Sequence, residues 1–150
     1  MRLLKYFHTI RYLTLTQISY QILYRFYNPF IIQRKNYPKL RILKSDFIDP
    51  AKKINSLIDS STFKFLNKSH TITNDKWNDK NLDKLWMYNL HYFDDLNAEG
   101  SDLRTIWHKK LISNWIKNNL AGKTIGWEAY PTSLRIVNWI KWHLSKKGSL

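Results

Sequence analysis

The chain has 150 residues, of which 43% are hydrophobic, and this length and composition predict one ordinary domain with a buried core. It contains no cysteine, which excludes disulfide bonds and thiolate metal sites, and its four glycines and four prolines argue against a loop-rich or sandwich protein. The formal net charge of +14 favours a polyanionic partner, which is nucleic acid, anionic lipid or acidic polysaccharide, without choosing between them.

The positive charge is concentrated at the start of the chain. Nine lysines and arginines precede the first acidic residue, Asp46. Residues 2–13 and 16–27 have the pattern of two helices that mix aromatic, aliphatic and basic side chains, and Thr16 is the expected cap of the second helix. Three interpretations stay open: a surface helix pair docked on a larger body, an interfacial hairpin that seeks anionic lipid, or nucleic-acid binding. Nucleic acid is disfavoured because no known binding signature accompanies the charge.

The first 32 residues lack the features of a secretory leader. Their apolar residues are interrupted by polar side chains at Arg11, Gln17, Gln21 and Arg25, and no small-residue cleavage site follows. No run approaches the roughly 18 apolar residues that a membrane-spanning helix needs. We therefore expect a protein of the cytoplasm or of the inner face of a membrane.

The next stretch divides the chain into two regions. Asn28-Pro29 and Tyr37-Pro38 indicate irregular structure up to about residue 46, so residues 1–46 form a basic helical segment with a linker. Residues 47–150 form the second region. Its first pattern is Asp49-Pro50, a typical helix start.

The helix that begins at Asp49-Pro50 is expected to end near Ser60-Ser61. Residues 62–73 then alternate between polar and apolar side chains and predict one or two short strands, which would form a β-hairpin.

Three strong helical patterns follow, over about residues 82–97, 102–118 and 131–145. Helix after helix with short loops predicts a mainly α-helical body that opens a longer helical array. The apolar face of the first helix contains Leu82, Leu85, Trp86, Leu90, Phe93 and Leu96. Asn89 falls on that face, whereas His91 falls on the opposite face, among polar groups.

The last helix has two chemically different faces. Arg135, Asn138 and Trp142 share one face at spacings i, i+3 and i+7. The other side consists of Ile136, Val137, Ile140 and Leu144. The polar face suits a cleft for an acidic sugar, since arginine binds a carboxylate or sulfate and an amide binds a hydroxyl group. Alternatively, Arg135 pairs with Glu128 or Asp95, and the tryptophans are core.

His91 is the best candidate for proton chemistry because imidazole titrates near neutral pH. It could instead bind a substrate carboxylate or have a structural role. The other four histidines, which include His108, have no supporting neighbours in the sequence.

The acidic residues Asp94, Asp95 and Glu99 do not suit glycoside hydrolysis. Adjacent aspartates on a helix point about 100° apart, so they are expected to cap a helix or to pair with lysine. No metal-spacing motif, nucleophile elbow or phosphate loop is present, and we expect neither a metal nor another cofactor.

Two long motifs carry a resemblance to a known family. WMYNLHYFDDLN (Trp86–Asn97) and GWEAYPTSLRIVNWIKW (Gly126–Trp142) closely resemble the N-terminal domain of the heparinase II/III-like family. The opening MRLLKYFHTIRYLTLTQISYQILYRF is also similar to the starts of its bacterial members. The resemblance covers essentially the whole chain.

The resemblance implies an incomplete (α/α) toroid, in which helical hairpins form a cleft and a β-sheet domain follows. Members are polysaccharide lyases, which cleave uronate-containing polymers such as glycosaminoglycans by β-elimination. His91 matches a cleft histidine of the family's heparin lyases, and Arg135 matches an arginine eight residues after a tryptophan, here Trp127. The expected substrate-binding residues are therefore His91, Arg135, Asn89, Trp127, Glu128, Asn138 and Trp142.

The chain also departs from the family pattern. The family's catalytic asparagine and tyrosine come later in the toroid, a further histidine comes from the sheet domain, and the expected Asn-Asn-His type of motif is absent here. We therefore expect the N-terminal part of a lyase-like protein, which binds acidic polysaccharide without complete catalysis. Its helices would leave apolar faces for the C-terminal part of the same protein to cover.

Overall fold

The computed structural model describes residues 7, 8, 10–27, 47–49, 51–73 and 76–147. For residues 146 and 147 it describes the backbone alone. The chain forms two compact units, Met1–Pro38 and Lys39–Leu150. Four α-helices and one β-hairpin make up the described structure, which confirms the prediction of a mainly α-helical protein. The elements are α1 Leu15–Phe26, β1 Thr62–Phe65, β2 Lys68–Thr71, α2 Lys84–Tyr92, α3 Thr105–Asn118 and α4 Ala129–Trp142.

Helix α1 begins slightly earlier in the chain than predicted. The cap is Thr14 and not Thr16, because the Thr14 hydroxyl accepts from the Gln17 N–H while the Gln17 side chain accepts from the Thr14 N–H at 2.9 Å. This capping box satisfies two backbone donors that would otherwise have no partner. Much of the predicted helix over residues 2–13, and nearly all of the irregular stretch before residue 47, lie outside the described residues.

The segment before the hairpin is not helical, so the helix predicted from Asp49-Pro50 is wrong. Its described part runs without helical hydrogen bonds. Lys53 forms a parallel bridge with Ala98, and Leu57 forms an antiparallel bridge with Phe63.

Tertiary partners account for the loss of that helix. The backbone N–H groups of Ser56 and Leu57 donate to Oδ1 of Asp95 at 2.8 and 3.0 Å. The Leu57 side chain is buried in the hydrophobic core. The segment forgoes the hydrogen bonds of a local helix, but its backbone N–H groups donate to a carboxylate instead and the Leu57 side chain is removed from water. These two contributions offset the loss of the helix.

The predicted hairpin is confirmed within residues 62–73. Strands β1 and β2 pair antiparallel, with Phe63 opposite His70. Leu66 and Asn67 form the two-residue turn, both with positive φ (52° and 60°), as expected of a turn that matches the twist of a hairpin. The hairpin packs on α2 through Trp86, whose indole N–H donates to the Lys68 carbonyl at 3.1 Å.

The helix predicted over residues 82–97 is broken. Helix α2 begins after the cap Asp83, whose carboxylate accepts two backbone N–H bonds, and it ends where Phe93 takes the left-handed conformation with φ 58°. A 3₁₀ turn over Asp94–Asn97 follows. The break redirects the chain so that both aspartates of this turn, Asp94 and Asp95, face other parts of the fold.

The second unit has a core rich in indole rings. Trp77, Trp86, Trp115 and Trp142 are all buried, together with Phe63 of the hairpin and aliphatic residues of the helices. One member of the predicted apolar face of α2 is wrong, since the Leu85 residue is 53% exposed. Aromatic pairs of this kind add about 0.5–1.5 kcal/mol each beyond the burial of their area, so the rings position the helices firmly.

Candidate functional site

Arg135 lies inside a cage of aromatic rings. Its residue is 2% exposed, and its guanidinium carbon lies 4.0 Å from the ring centroid of Trp115, 5.1 Å from Trp127 and 5.9 Å from Trp139. Nη1 donates to the carbonyl oxygen of Gly126. A cation over an indole face is attracted by the ring quadrupole, and the attraction grows when water is excluded.

The cage supplies no negative charge. Arg135 pairs with neither Glu128 nor Asp95, and within the described ranges no carboxylate forms an ion pair with it. Burial lowers the pKa of Arg135 to about 10, so the group stays charged at neutral pH. The site therefore holds a buried cation that is stabilised by aromatic rings and one carbonyl group.

His91 lies next to this cage and is fully buried, at 0% exposure. Its Nδ1 accepts a hydrogen bond from the indole N–H of Trp115 at 2.9 Å, and its ring centroid lies 6.1 Å from that of Trp77. The expectation that His91 lies among polar groups on the outer side of its helix is wrong. Helix α2 is covered on that side as well, by the loop that carries Gly126.

The protonation of His91 follows from this environment. Burial is the larger cause and the positive charge of Arg135 the second, and together they lower the pKa of His91 to about 4. The imidazole is neutral at pH 7, and its accepting nitrogen is occupied by Trp115. In this geometry His91 holds an indole ring in position and has no free lone pair with which to remove a proton.

The polar face of α4 exists but packs inward. Nδ2 of Asn138 donates to the Tyr92 carbonyl at 2.8 Å and to Oδ1 of Asp94 at 2.7 Å, which ties α4 to the end of α2. Trp142 is buried against His108, with ring centroids 6.3 Å apart. The expectation that Arg135, Asn138 and Trp142 line an open cleft is therefore wrong for the described residues.

The opposite side of α4 faces solvent. Ile136, Val137 and Ile140 are 50%, 46% and 53% exposed. The polar face is the buried one because the carbonyls at the end of α2 and in the Gly126 loop need donors, which aliphatic side chains cannot provide.

The remaining predicted site residues lie nearer the surface. The Asn89 amide donates to the Leu85 carbonyl of its own helix at 2.8 Å. The indole N–H of Trp127 donates to the Asn119 carbonyl at 3.1 Å, and its ring is half-buried at the edge of the Arg135 cage. In the described part of the structure, neither side chain forms a hydrogen bond across a cleft.

Glu128 belongs to an exposed polar cluster. It accepts a hydrogen bond from the Tyr88 hydroxyl, and Nζ of Lys84 lies 3.1 Å from its Oε2. The bond from Tyr88 is the main cause that lowers the pKa of Glu128, burial opposes it, and Lys84 adds to the lowering. The carboxylate is thus ionised and already paired.

One buried cluster was missed by the sequence patterns. Asp95 accepts from Nε of Arg104 at 2.9 Å and lies 2.8 Å from Nε2 of His108, which is 1% exposed. The expectation that His108 lacks supporting neighbours is wrong. Arg104 and His108 are four residues apart within the helix predicted over residues 102–118, a spacing that places them on one face. The helical pattern did not reveal that Asp95, from another part of the chain, lies against that face.

The charge of Asp95 is fixed by these partners. Burial by itself raises the pKa of Asp95, but hydrogen bonds from His108, Arg104 and the backbone of Leu57 and Ser56 outweigh it and lower the pKa to about 2. The expectation that Asp94 pairs with lysine is confirmed by Lys53, with Nζ 2.8 Å from Oδ2.

No family model, curated protein or solved structure matches this chain. Across the residues that the structure describes, no group of three His, Cys, Asp or Glu side chains is placed to hold a metal ion. None of the described helices has the length and hydropathy needed to cross a membrane. The functional proposal therefore depends on the geometry around Arg135 and on the sequence motifs.

Proposed function

We propose that the chain is the N-terminal part of a polysaccharide lyase-like protein and that it binds acidic, uronate-containing polysaccharide. The observation that carries the proposal is the Arg135 guanidinium, buried among three indole rings with no carboxylate partner in the described structure. A buried cation without an anion is costly, and a carboxylate or sulfate group brought near it by a ligand would offset that cost.

The surroundings of the cage suit a sugar. Trp127 and Trp139 are half-buried, so each residue keeps part of its surface exposed. A pyranose ring buries its apolar face against such rings, as other apolar groups do. The neutral state of His91 leaves the positive charge of this region to Arg135 and so sets its preference for anions.

The proposed architecture is the opening of an incomplete (α/α) toroid. Helices α2, α3 and α4 follow one another along the chain, and successive helices are the units from which such a ring is built. The exposed apolar side of α4, formed by Ile136, Val137 and Ile140, offers a surface on which a following helical hairpin of the same protein would pack.

The test compares two methionine variants that remove one positive charge each. Arg135→Met and Lys117→Met both lower the net charge by one, but Lys117 lies exposed on α3, away from the cage. Affinity for a sulfated glycosaminoglycan and for a polyuronate, with neutral dextran as the blank, is measured by calorimetry at fixed ionic strength. We expect a loss of at least about tenfold for Arg135→Met and of about twofold for Lys117→Met.

Arg135→Lys keeps the binding test interpretable if Arg135→Met fails to fold. It retains a cation but loses the planar fork, so we expect a folded protein with an intermediate loss of affinity. Folding is checked by tryptophan fluorescence and circular dichroism. Unchanged affinity of folded Arg135→Lys would show that the guanidinium fork takes no part in binding, and equal affinities of folded Arg135→Met and Lys117→Met would show the same of the charge; either result would overturn the proposal.

A further inference from the structure

Helix α1 exposes its apolar side chains to an unusual degree. None of its 12 residues is buried. Leu15, Ile22 and Phe26 are 85%, 57% and 82% exposed. Exposed apolar side chains of this kind normally leave water by packing against a partner, so this face of α1 suits an interaction surface.

The exposed residues are arranged in strips along α1. At about 100° per residue, Leu15, Ile22 and Phe26 lie within about 40° of one another. Tyr20 and Tyr24 lie on the other side of the helix, about 120–180° away from this strip, and stack on each other with ring centroids 6.0 Å apart. A helix with an exposed apolar strip along one side is suited to lie at an interface between water and an apolar phase.

The charge around α1 selects the partner. The first 45 residues contain nine lysines and arginines and no acidic residue. Arg25 lies in the last turn of the helix, and its first turn has no acidic residue. A positively charged segment with an apolar strip is complementary to a surface that is both anionic and apolar. Nucleic acid satisfies only the charge, since it offers nothing in which leucine, isoleucine and phenylalanine side chains would be buried.

We infer that α1 binds in the plane of an anionic lipid surface, with the strip of Leu15, Ile22 and Phe26 among the acyl chains. A helix of 12 residues is about 18 Å long, which is too short for the roughly 30 Å hydrocarbon core, so it lies along the surface. This inference does not depend on polysaccharide binding. It attaches the chain to a membrane through an element that is separate from the candidate polysaccharide site.

The absence of cysteine allows a direct test. A single cysteine at Ile22→Cys or at the matched control Gln21→Cys gives one labelling site for an environment-sensitive dye. The full-length chain is mixed with phosphatidylcholine vesicles that contain 30% phosphatidylserine. We expect a blue-shifted and several-fold brighter emission from the label at 22 and little change at 21, since Gln21 lies on the polar side of α1.

Affinity provides the second measurement. Ile22→Glu and Gln21→Glu add the same negative charge at adjacent residues, so the difference between their vesicle affinities reports burial of the apolar strip. In flotation with the anionic vesicles, we expect Ile22→Glu to bind at least about tenfold more weakly than Gln21→Glu. All seven tryptophans lie between residues 77 and 142, so their fluorescence verifies that the second unit stays folded.

Several results would overturn the inference. Equal binding of the two glutamate variants would show that the apolar strip does not take part in the interaction. Equal binding to vesicles without phosphatidylserine would show that charge does not contribute to it. A dye shift at residue 22 without vesicles would indicate burial in a second copy or in the rest of the chain. Binding to nucleic acid, with no vesicle binding, would indicate a nucleic-acid partner.

Discussion

The backbone of Gly126 lies directly against the imidazole of His91. A methyl group placed on Gly126 would come within 2.6 Å of Nδ1 of His91, a distance that side-chain carbons do not adopt. The same nitrogen accepts the hydrogen bond from Trp115, and the Gly126 carbonyl accepts from Arg135. One glycine thus closes the space over the histidine and positions the arginine of the candidate site.

We expect Gly126→Ala to destabilise the second unit by about 1–3 kcal/mol, because the new methyl group forces the imidazole away from Trp115. His91→Ala removes the obstructing ring, so Gly126→Ala should cost much less in that background. Thermal and urea unfolding of the four proteins in this cycle measure the coupling. Additive effects would mean that the two residues do not press on each other in solution.

The buried His91 predicts a loss of stability in mild acid. Its folded pKa of about 4 lies below the ordinary 6.5, so the unfolded chain binds the proton more strongly. The contribution is present above pH 6.5 and is lost as the pH falls towards 4, by about 3 kcal/mol in total. Urea unfolding between pH 4.5 and 7.5 should show this slope.

The control for that slope is His91→Gln, which keeps an acceptor for the Trp115 indole but does not titrate. We expect its free energy of unfolding to vary less with pH over the same range. Titration of the His91 ring signal by NMR gives the pKa directly. A wild-type pKa near 6.5 would contradict the burial of the imidazole.

A second acid-sensitive contribution comes from Asp95. Its folded pKa of about 2 lies below the ordinary 3.8, so the stabilisation is present above pH 3.8 and is lost as the pH falls to 2, by about 2 kcal/mol. Asp95→Asn leaves the partly buried Arg104 without its anion and should cost about 3–5 kcal/mol at pH 7. Chemical denaturation measures both effects.

Asp94→Asn is the matched control, since Asp94 is the neighbouring carboxylate and its lysine partner, Lys53, is 64% exposed at the side chain. An exposed ion pair contributes little, so we expect a loss below about 1 kcal/mol. Similar losses for the two variants would indicate that the Asp95 cluster is open to water.

The chain by itself is expected to show no lyase turnover. His91 is neutral and its accepting nitrogen is occupied, and the Asn-Asn-His type of motif that the resemblance to the heparinase II/III-like family implies is absent from these 150 residues. Incubation with heparin-like and polyuronate substrates should produce no new absorbance from unsaturated uronate ends, whereas an active lyase run in parallel should. Any such absorbance from pure protein would refute the assignment of binding without catalysis.

Local patterns were enough for the hairpin and for the approximate positions of α2, α3 and α4. The alternation over residues 62–73 and the i, i+3, i+4 spacing of apolar side chains depend only on near neighbours, which is why they survive in the fold. The helix expected after Asp49-Pro50 failed because Asp95, about 40 residues away, binds the backbone of that segment.

The candidate site divides in the same way. The sequence by itself determined that Arg135, Asn138 and Trp142 share one face of a helix, since their spacing fixes their angles. Only the tertiary structure decided that this face is buried, because a helical wheel does not reveal which side meets the carbonyls of Tyr92 and Gly126. Burial of a polar face requires donors and acceptors from distant residues, and their positions follow from packing and not from local pattern.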